Sequence, residues 1–287
     1  MPTTAGVRVL RDSVPTRNAF VVERLHEAGA VFLGKANMAQ LALGPIASEQ
    51  AGLCQNPYDL RRTCSSSSSG SAASIAAGLG VISLGTDTRG SIVAPASFIG
   101  VFGFRLPYNA TLLAGVFPIS ARCDTVGPMA KHLEDIVLAY SVMVQRPHVY
   151  ASVFGGGGGS NNDTLEEPAP PLKLRIVTNF LASTDSVVRP LIEEGVRRAH
   201  SLGRQVHVDQ VTLSESEMNE WFSVSRSFFQ AQEACFYACI PAAYNAYFGE
   251  RGRFAANATI RNAKQFYQSR LLKSALREKM HRAGLDE

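Results

Sequence analysis

Between Thr16 and Ala30 the chain reads TRNAFVVERLHEAGA. Phe20, Val21, Leu25 and Ala28 fall at helical spacing and Gly29 supplies a stop, which predicts an amphipathic helix. The apolar run AVFLG that follows, residues 30–34, predicts a short buried strand. Residues 70–80, GSAASIAAGLG, are small and helix-compatible, and VISLG at 81–85 is apolar throughout, as a strand covered on both faces is. Helix and strand thus alternate, the pattern of an α/β fold. The alternation returns later, with a strand predicted in KLRIVTNF at 173–180, a helix near 186–203 and a second strand in QVHVDQV at 205–211. From about residue 214 the pattern is helical, with SFFQAQEACFYACIPAAYNAYF at 227–248 as its apolar face. Residues 154–172, FGGGGGSNNDTLEEPAPPL, offer nothing to pack and predict a surface loop or linker.

Composition narrows the function classes. With 287 residues, 46% hydrophobic and 18% charged, the chain can bury a sizeable core as one large domain or two small ones. A net charge of +4, with no cluster of Lys and Arg interleaved with aromatics, argues against a nucleic-acid partner. No apolar run reaches the roughly 18 residues of a membrane span, and PTTAGVRVL after Met1 has no signal-peptide architecture. The expectation is a cytoplasmic protein with no membrane partner. Cys54, Cys64, Cys123, Cys235 and Cys239 are an odd, scattered set, which implies reduced thiols rather than a disulfide framework. Cys235 and Cys239 share one helix face and read as core packing, and no second Cys or His pair stands at metal spacing. Neither a metal nor a cofactor is expected.

Candidate chemistry enters with TCSSSSSGSAAS at 63–74. A flexible serine linker would continue into polar residues, whereas this one runs into a small-residue helix and then a strand ending in GTDTRGSIVAPAS. Gly85 and Gly90 bracket a polar turn where backbone N–H groups can converge. Ser91 closes that turn. A serine hydroxyl attacks only when a base takes its proton and donors hold the resulting oxyanion. The amides of Thr88, Arg89, Gly90 and Ser91 are the candidate oxyanion donors. The stretch is not the G-x-S-x-G elbow of α/β-hydrolases, because Val93 stands where the last Gly belongs.

Six blocks in order carry a resemblance. They are GKANM at 34–38, QNPYD at 55–59, SSSGSAASIAAG at 67–78, LGTDTRGSIVAPAS at 84–97, GVFGFR at 100–105 and PISARCDTVGPMAK at 118–131. Together they resemble the amidase signature family, densely up to about residue 145, and most closely its fungal, plant and bacterial amidases. The resemblance implies a mixed β-sheet core flanked by α-helices, in a single domain of residues 1–287. Its signature core spans 1–153, the loop 154–172, and a strand-helix-strand plus helical part 173–287. It also implies hydrolysis of a small-molecule amide by a Ser-cisSer-Lys triad, with Ser91 as nucleophile. Aligning Gly70 and Ser71 with the family motif places the second serine at Ser67, 24 residues before Ser91; Ser66 and Ser68 remain its neighbouring alternatives.

Departures from the family pattern shape the expectation. The family's lysine lies in a KDN segment just before TTAG, and here TTAG begins at the third residue, so the triad lysine and an N-terminal segment are expected to be missing, and the C-terminus to be short as well. Lys35 belongs to a different motif and reads as a structural lysine at a strand end. Arg89 puts a bulky cation where the family has Gly or a small acidic residue, Gln40 replaces a common acidic residue, and Arg105, Leu106 and Pro107 replace Lys-Pro-Thr. Three readings follow: an amide hydrolase impaired for want of its base, a degenerate relative that binds ligand or pairs with an intact amidase, and a structural α/β module. An exposed apolar face and self-association are expected.

Overall fold

A computed structural model of the chain describes residues 1–43, 46–120, 123–154, 172–201, 206–220 and 222–223. These fall into two compact units, the first within Met1–Gly158 and the second within Gly159–Ala231.

The first unit opens with α1, Phe20–Glu27, capped by Ala28 and Gly29, so the helix read from apolar spacing is present and its stop is Gly29 at φ +90°. Val21 and Leu25 are its buried residues. A short hairpin follows, β1 (Gln55–Asn56) and β2 (Asp59–Thr63), and then α2 (Ser69–Ala76), β3 (Ile82–Asp87), α3 (Val93–Ile99), β4 (Phe102–Gly103), β5 (Thr125–Ala130), α4 (Leu133–Met143) and α5 (His148–Phe154). The three strands β3, β5 and β4 form an antiparallel sheet with β5 in the middle. All six residues of β5 are buried. Because side chains alternate across a strand, its two faces serve two clusters. Met129 packs with Cys64, Ala72, Ile75, Ile92 and Ile99 of the α2 and α3 layer, and Val126 packs with Val21, Leu25, Leu106 and Met143 of the α1 and α4 layer. Helices therefore cover the central strand on both sides.

Two expectations are corrected here. AVFLG is not a buried strand: residues 30–34 carry no regular secondary structure, and Val31 and Leu33 are 83% and 76% exposed. An apolar run becomes a strand only with a ladder partner, and no strand of the described residues pairs with this one. VISLG does enter β3, but Ile82, Ser83 and Leu84 are only half-buried, because β3 is an edge strand of the described sheet. The turn GTDTRGSIVAPAS also continues into α3. Pro95 sits in that helix's first turn, where its missing N–H would have no helical partner anyway.

In the second unit, β6 (Leu172–Val177) and β7 (Val206–Val211) pair in parallel, linked by α6 (Thr178–Ala182) and α7 (Arg189–Ser201). This is the strand-helix-strand read from the sequence, except that the chain leaves the strand at Thr178 rather than running to Phe180. Asn179 causes the break, since its side-chain amide donates to the Leu213 carbonyl and accepts from the Leu213 N–H, each at 2.8 Å. The Gly/Pro-rich interior of 154–172, Cys235, Cys239 and the apolar face at 227–248 lie outside the described residues. Among the described residues, no helix is long and apolar enough to cross a membrane.

Candidate active site

The serine loop leads into α2, and side-chain hydrogen bonds sew it to β3. Ser68 Oγ donates to the Thr86 carbonyl and accepts from the Thr86 N–H, both at 3.2 Å. Ser71 Oγ donates to the Leu84 carbonyl at 2.8 Å. On its other side the loop takes up the GKANM segment: Ala39 N–H donates to the Ser67 carbonyl and Gly70 N–H to the Asn37 carbonyl, each at 3.0 Å. The peptide bond between Ser66 and Ser67 is cis. Ser67 is 2% exposed, and its hydroxyl has no hydrogen-bond partner.

Ser91 is half-buried and lies against this loop, because the Ser68 N–H donates to the Ser91 carbonyl at 3.2 Å. The structure thus brings together the two stretches that the sequence singled out. It does so through the backbone; the Ser67 hydroxyl makes no hydrogen bond to Ser91.

The turn that carries Ser91 is built around Asp87, which is 0% exposed. Its Oδ1 accepts the Gly90 N–H at 2.6 Å, and its Oδ2 accepts the N–H of Ile92 at 2.8 Å and of Val93 at 3.4 Å. The guanidinium of Arg105 pairs with Asp87 Oδ1 at 3.2 Å and donates to the Cys123 carbonyl at 2.7 Å. A buried charge needs this kind of matched company. A second buried carboxylate, Asp124, accepts from the Thr88 hydroxyl at 2.6 Å and from the N–H groups of Ile119 and Ser120 at 2.7 and 2.8 Å. The turn is therefore clamped from both ends. Gly90 completes it at φ +110°, a conformation that favours glycine. One candidate donor is removed by this geometry: the Gly90 amide is committed to Asp87.

Asp87, Arg105 and Asp124 were not singled out as site residues from sequence. The available signal was an acidic residue closing an apolar strand just before a Gly-Ser turn. Arg105 followed by Leu106, in place of Lys-Pro, also has a structural use, since Leu106 N–H donates to Val126 O at 3.2 Å and a proline there has no such donor. Lys35 is exposed, and no strand of the described residues ends at it. A cleft of about 580 Å³ lies elsewhere, lined by Arg17, Asn18, Phe20, Glu23 and Arg24 among others, and takes in neither Ser67 nor Ser91. Among the described residues no group of three or more His, Cys, Asp or Glu could hold a metal ion.

Comparison with known proteins gives consistent results. A family model described as Amidase matches residues 1–273. A glutamyl-tRNA(Gln) amidotransferase subunit from Symbiobacterium thermophilum is 34% identical over 227 residues, 78% of this chain and 46% of that protein. The like-named subunit from Anaeromyxobacter sp. strain K is 48% identical over 139 residues, 48% of this chain and 28% of its own length. Among solved structures, one described as an amidase superposes with a TM-score of 0.72 at 26% identity over 99% of this chain and 61% of its own. The native peptide amidase of Stenotrophomonas maltophilia gives 0.65 at 28% identity over 87% and 51%. The chain spans about half the length of the curated relatives it matches.

Proposed function

The chain belongs to the amidase family, and on that premise we propose that Ser91 is the nucleophile of an amide hydrolase acting on small-molecule amides, with Ser67 as its proton relay. The observation that carries this reading is the buried, unpartnered Ser67 hydroxyl, in a loop whose next N–H is bonded to the Ser91 carbonyl. Ser91 Oγ attacks the amide carbon, its proton passes to Ser67 Oγ, and Ser67 hands its own proton to a base. The amides of Thr88, Arg89 and Ser91 receive the charge that develops on the substrate oxygen. The relay returns the proton to the amide nitrogen, collapse expels the amine and leaves an acyl-serine, and water then hydrolyses it.

No described side chain hydrogen-bonds to Ser67 Oγ, so nothing described stands ready as the base. We infer that these 287 residues by themselves are impaired. The reading places the protein in the cytoplasm, with contacts to a second subunit made through the apolar segments around Val31 and Leu33 and around Leu79 and Val81, all exposed.

The test is hydrolysis of a simple amide by the chain and by a version carrying a family-type N-terminal segment with its lysine. The chain alone should match its Ser91→Ala control. The graft should raise the rate by about 10² or more, the scale of general-base catalysis, and the gain should vanish with Ser67→Ala or Ser91→Ala. Ser91-dependent turnover in the ungrafted chain overturns the inferred impairment. A graft without gain that still binds the amide favours a ligand-binding relative, and one that neither turns over nor binds favours a structural module.

A further inference from the structure

Cys54 and Cys64 flank the β1–β2 hairpin, one step beyond its terminal cross-strand pair, Gln55 with Thr63. Their sulfurs stand 3.5 Å apart. Continued antiparallel pairing puts such residues opposite each other with Cβ atoms about 4.5–5.5 Å apart, close to the roughly 3.5–4.5 Å that a disulfide requires. Among the described residues no third His, Cys, Asp or Glu joins the two sulfurs in a metal-binding group. Cys54 is half-buried and reachable from solvent, whereas Cys64 is 0% exposed and packs with Ala72, Ile75, Ile92 and Met129.

We propose that Cys54 and Cys64 form a reversible thiol–disulfide site, oxidised by a small disulfide of the glutathione type, that cross-links the hairpin to the start of the serine loop. The Cys54 thiolate attacks one sulfur of the oxidant and releases one small thiol. The Cys64 thiolate then attacks the Cys54 sulfur of the mixed disulfide and releases the second. Two protein thiols are oxidised, one small disulfide is reduced to two thiols, and the two protons end on the leaving thiols. Accessibility sets the order, since the half-buried Cys54 meets the oxidant and the buried Cys64 resolves the intermediate. Burial pushes the Cys64 thiol up, so resolution quickens as pH rises.

The consequence lies three residues downstream. Cys64 leads through Ser65, at φ +65°, to the cis bond before Ser67, and it shares its apolar cluster with Ile92, the residue after Ser91. Drawing the sulfurs from 3.5 Å to the roughly 2 Å of a disulfide tethers that approach to the hairpin, which is itself anchored to α3 by the Asn56 side-chain amide donating to the Phe98 carbonyl at 3.1 Å. The inference stands whether or not Ser91 is catalytic.

The test is oxidation of the full chain with oxidised glutathione, followed by a non-reducing tryptic digest. Arg61 and Arg62 lie between the two cysteines, so the cross-link appears as two tryptic peptides joined by a disulfide, and dithiothreitol separates them. Amide exchange across residues 64–69 should slow on oxidation. Cys54→Ser and Cys64→Ser should each abolish the joined pair. Binding of phenylarsine oxide to the reduced protein, which needs both thiols, should be lost in the same variants. Stable glutathione on Cys54 with no joined peptides, raised pH included, overturns the proposal. So does a wild type that fails to bind the arsenical.

Discussion

Replacing Asp87 with alanine is the perturbation that the Ser91 turn should tolerate least. Alanine leaves the N–H groups of Gly90 and Ile92, held at 2.6 and 2.8 Å, facing a space with no acceptor, and it leaves the Arg105 guanidinium without its carboxylate, held by the Cys123 carbonyl alone. Breaking a buried pair by removing one partner costs about 3–5 kcal/mol. Water reaches part of Arg105, whose side chain is 35% exposed, so the lower end, about 3 kcal/mol, is the working figure. With a urea slope of about 2 kcal/mol per molar, the unfolding midpoint should fall by about 1.5 M. Urea titration followed by far-UV circular dichroism reads the midpoint, and hydrogen exchange at Gly90 and Ile92 reads the turn itself. Asp87→Asn should do little better, since its NH₂ group faces backbone donors. A shift under about 0.5 M with both amides still protected would show that the turn is held by something other than this carboxylate.

Two further predictions concern packing around the same loops. Gly70→Ala should cost about 1–3 kcal/mol, as overpacking does, because the new Cβ falls on the backbone N and O of Asn37; thermal melting checks it, and an unchanged melt refutes the close packing. Cys64 should resist iodoacetamide at pH 8 in the native state while Cys54 reacts. Its thiol is pushed from the ordinary value near 9 to about 12, so between those values the native state keeps a proton that the unfolded state loses, and stability should fall as pH rises. Peptide mapping and an alkaline stability series read the two effects.

Much of this was legible from spacing. The helix at Phe20–Glu27, the helix after the serines and the parallel strand-helix-strand all follow from apolar periodicity that local sequence carries by itself. β5 was not legible as a strand, since Gly127 and Pro128 interrupt its apolar run, although it is the fully buried centre of the sheet. AVFLG failed in the opposite way: its composition is that of a strand, but pairing is a long-range property. At the site, sequence supplied the serines and the turn, because glycine and serine patterns mark backbone geometry. It did not supply Asp87 or Asp124, whose roles depend on which N–H groups the fold turns toward them.

Ser67, Ser68 and Ser71 can be sorted by one experiment, because structural and relay roles predict opposite signs. Ser68 satisfies both the N–H and the carbonyl of Thr86, and Ser71, just beyond the run, holds the Leu84 carbonyl. Truncating either to alanine leaves a half-buried strand group without its partner and should destabilise by about 1 kcal/mol. Ser67 is as buried as they are, yet its hydroxyl, like that of Ser69, satisfies nothing. Keeping an unpaired hydroxyl out of water costs roughly 1–3 kcal/mol on protein mutational scales. Ser67→Ala should therefore be neutral or stabilising by about 1 kcal/mol, while abolishing whatever activity the lysine-bearing graft restores. A serine kept for packing cannot give that pair of results. If Ser67→Ala instead destabilises as much as Ser68→Ala, the hydroxyl is structural, and the relay must be sought at Ser66.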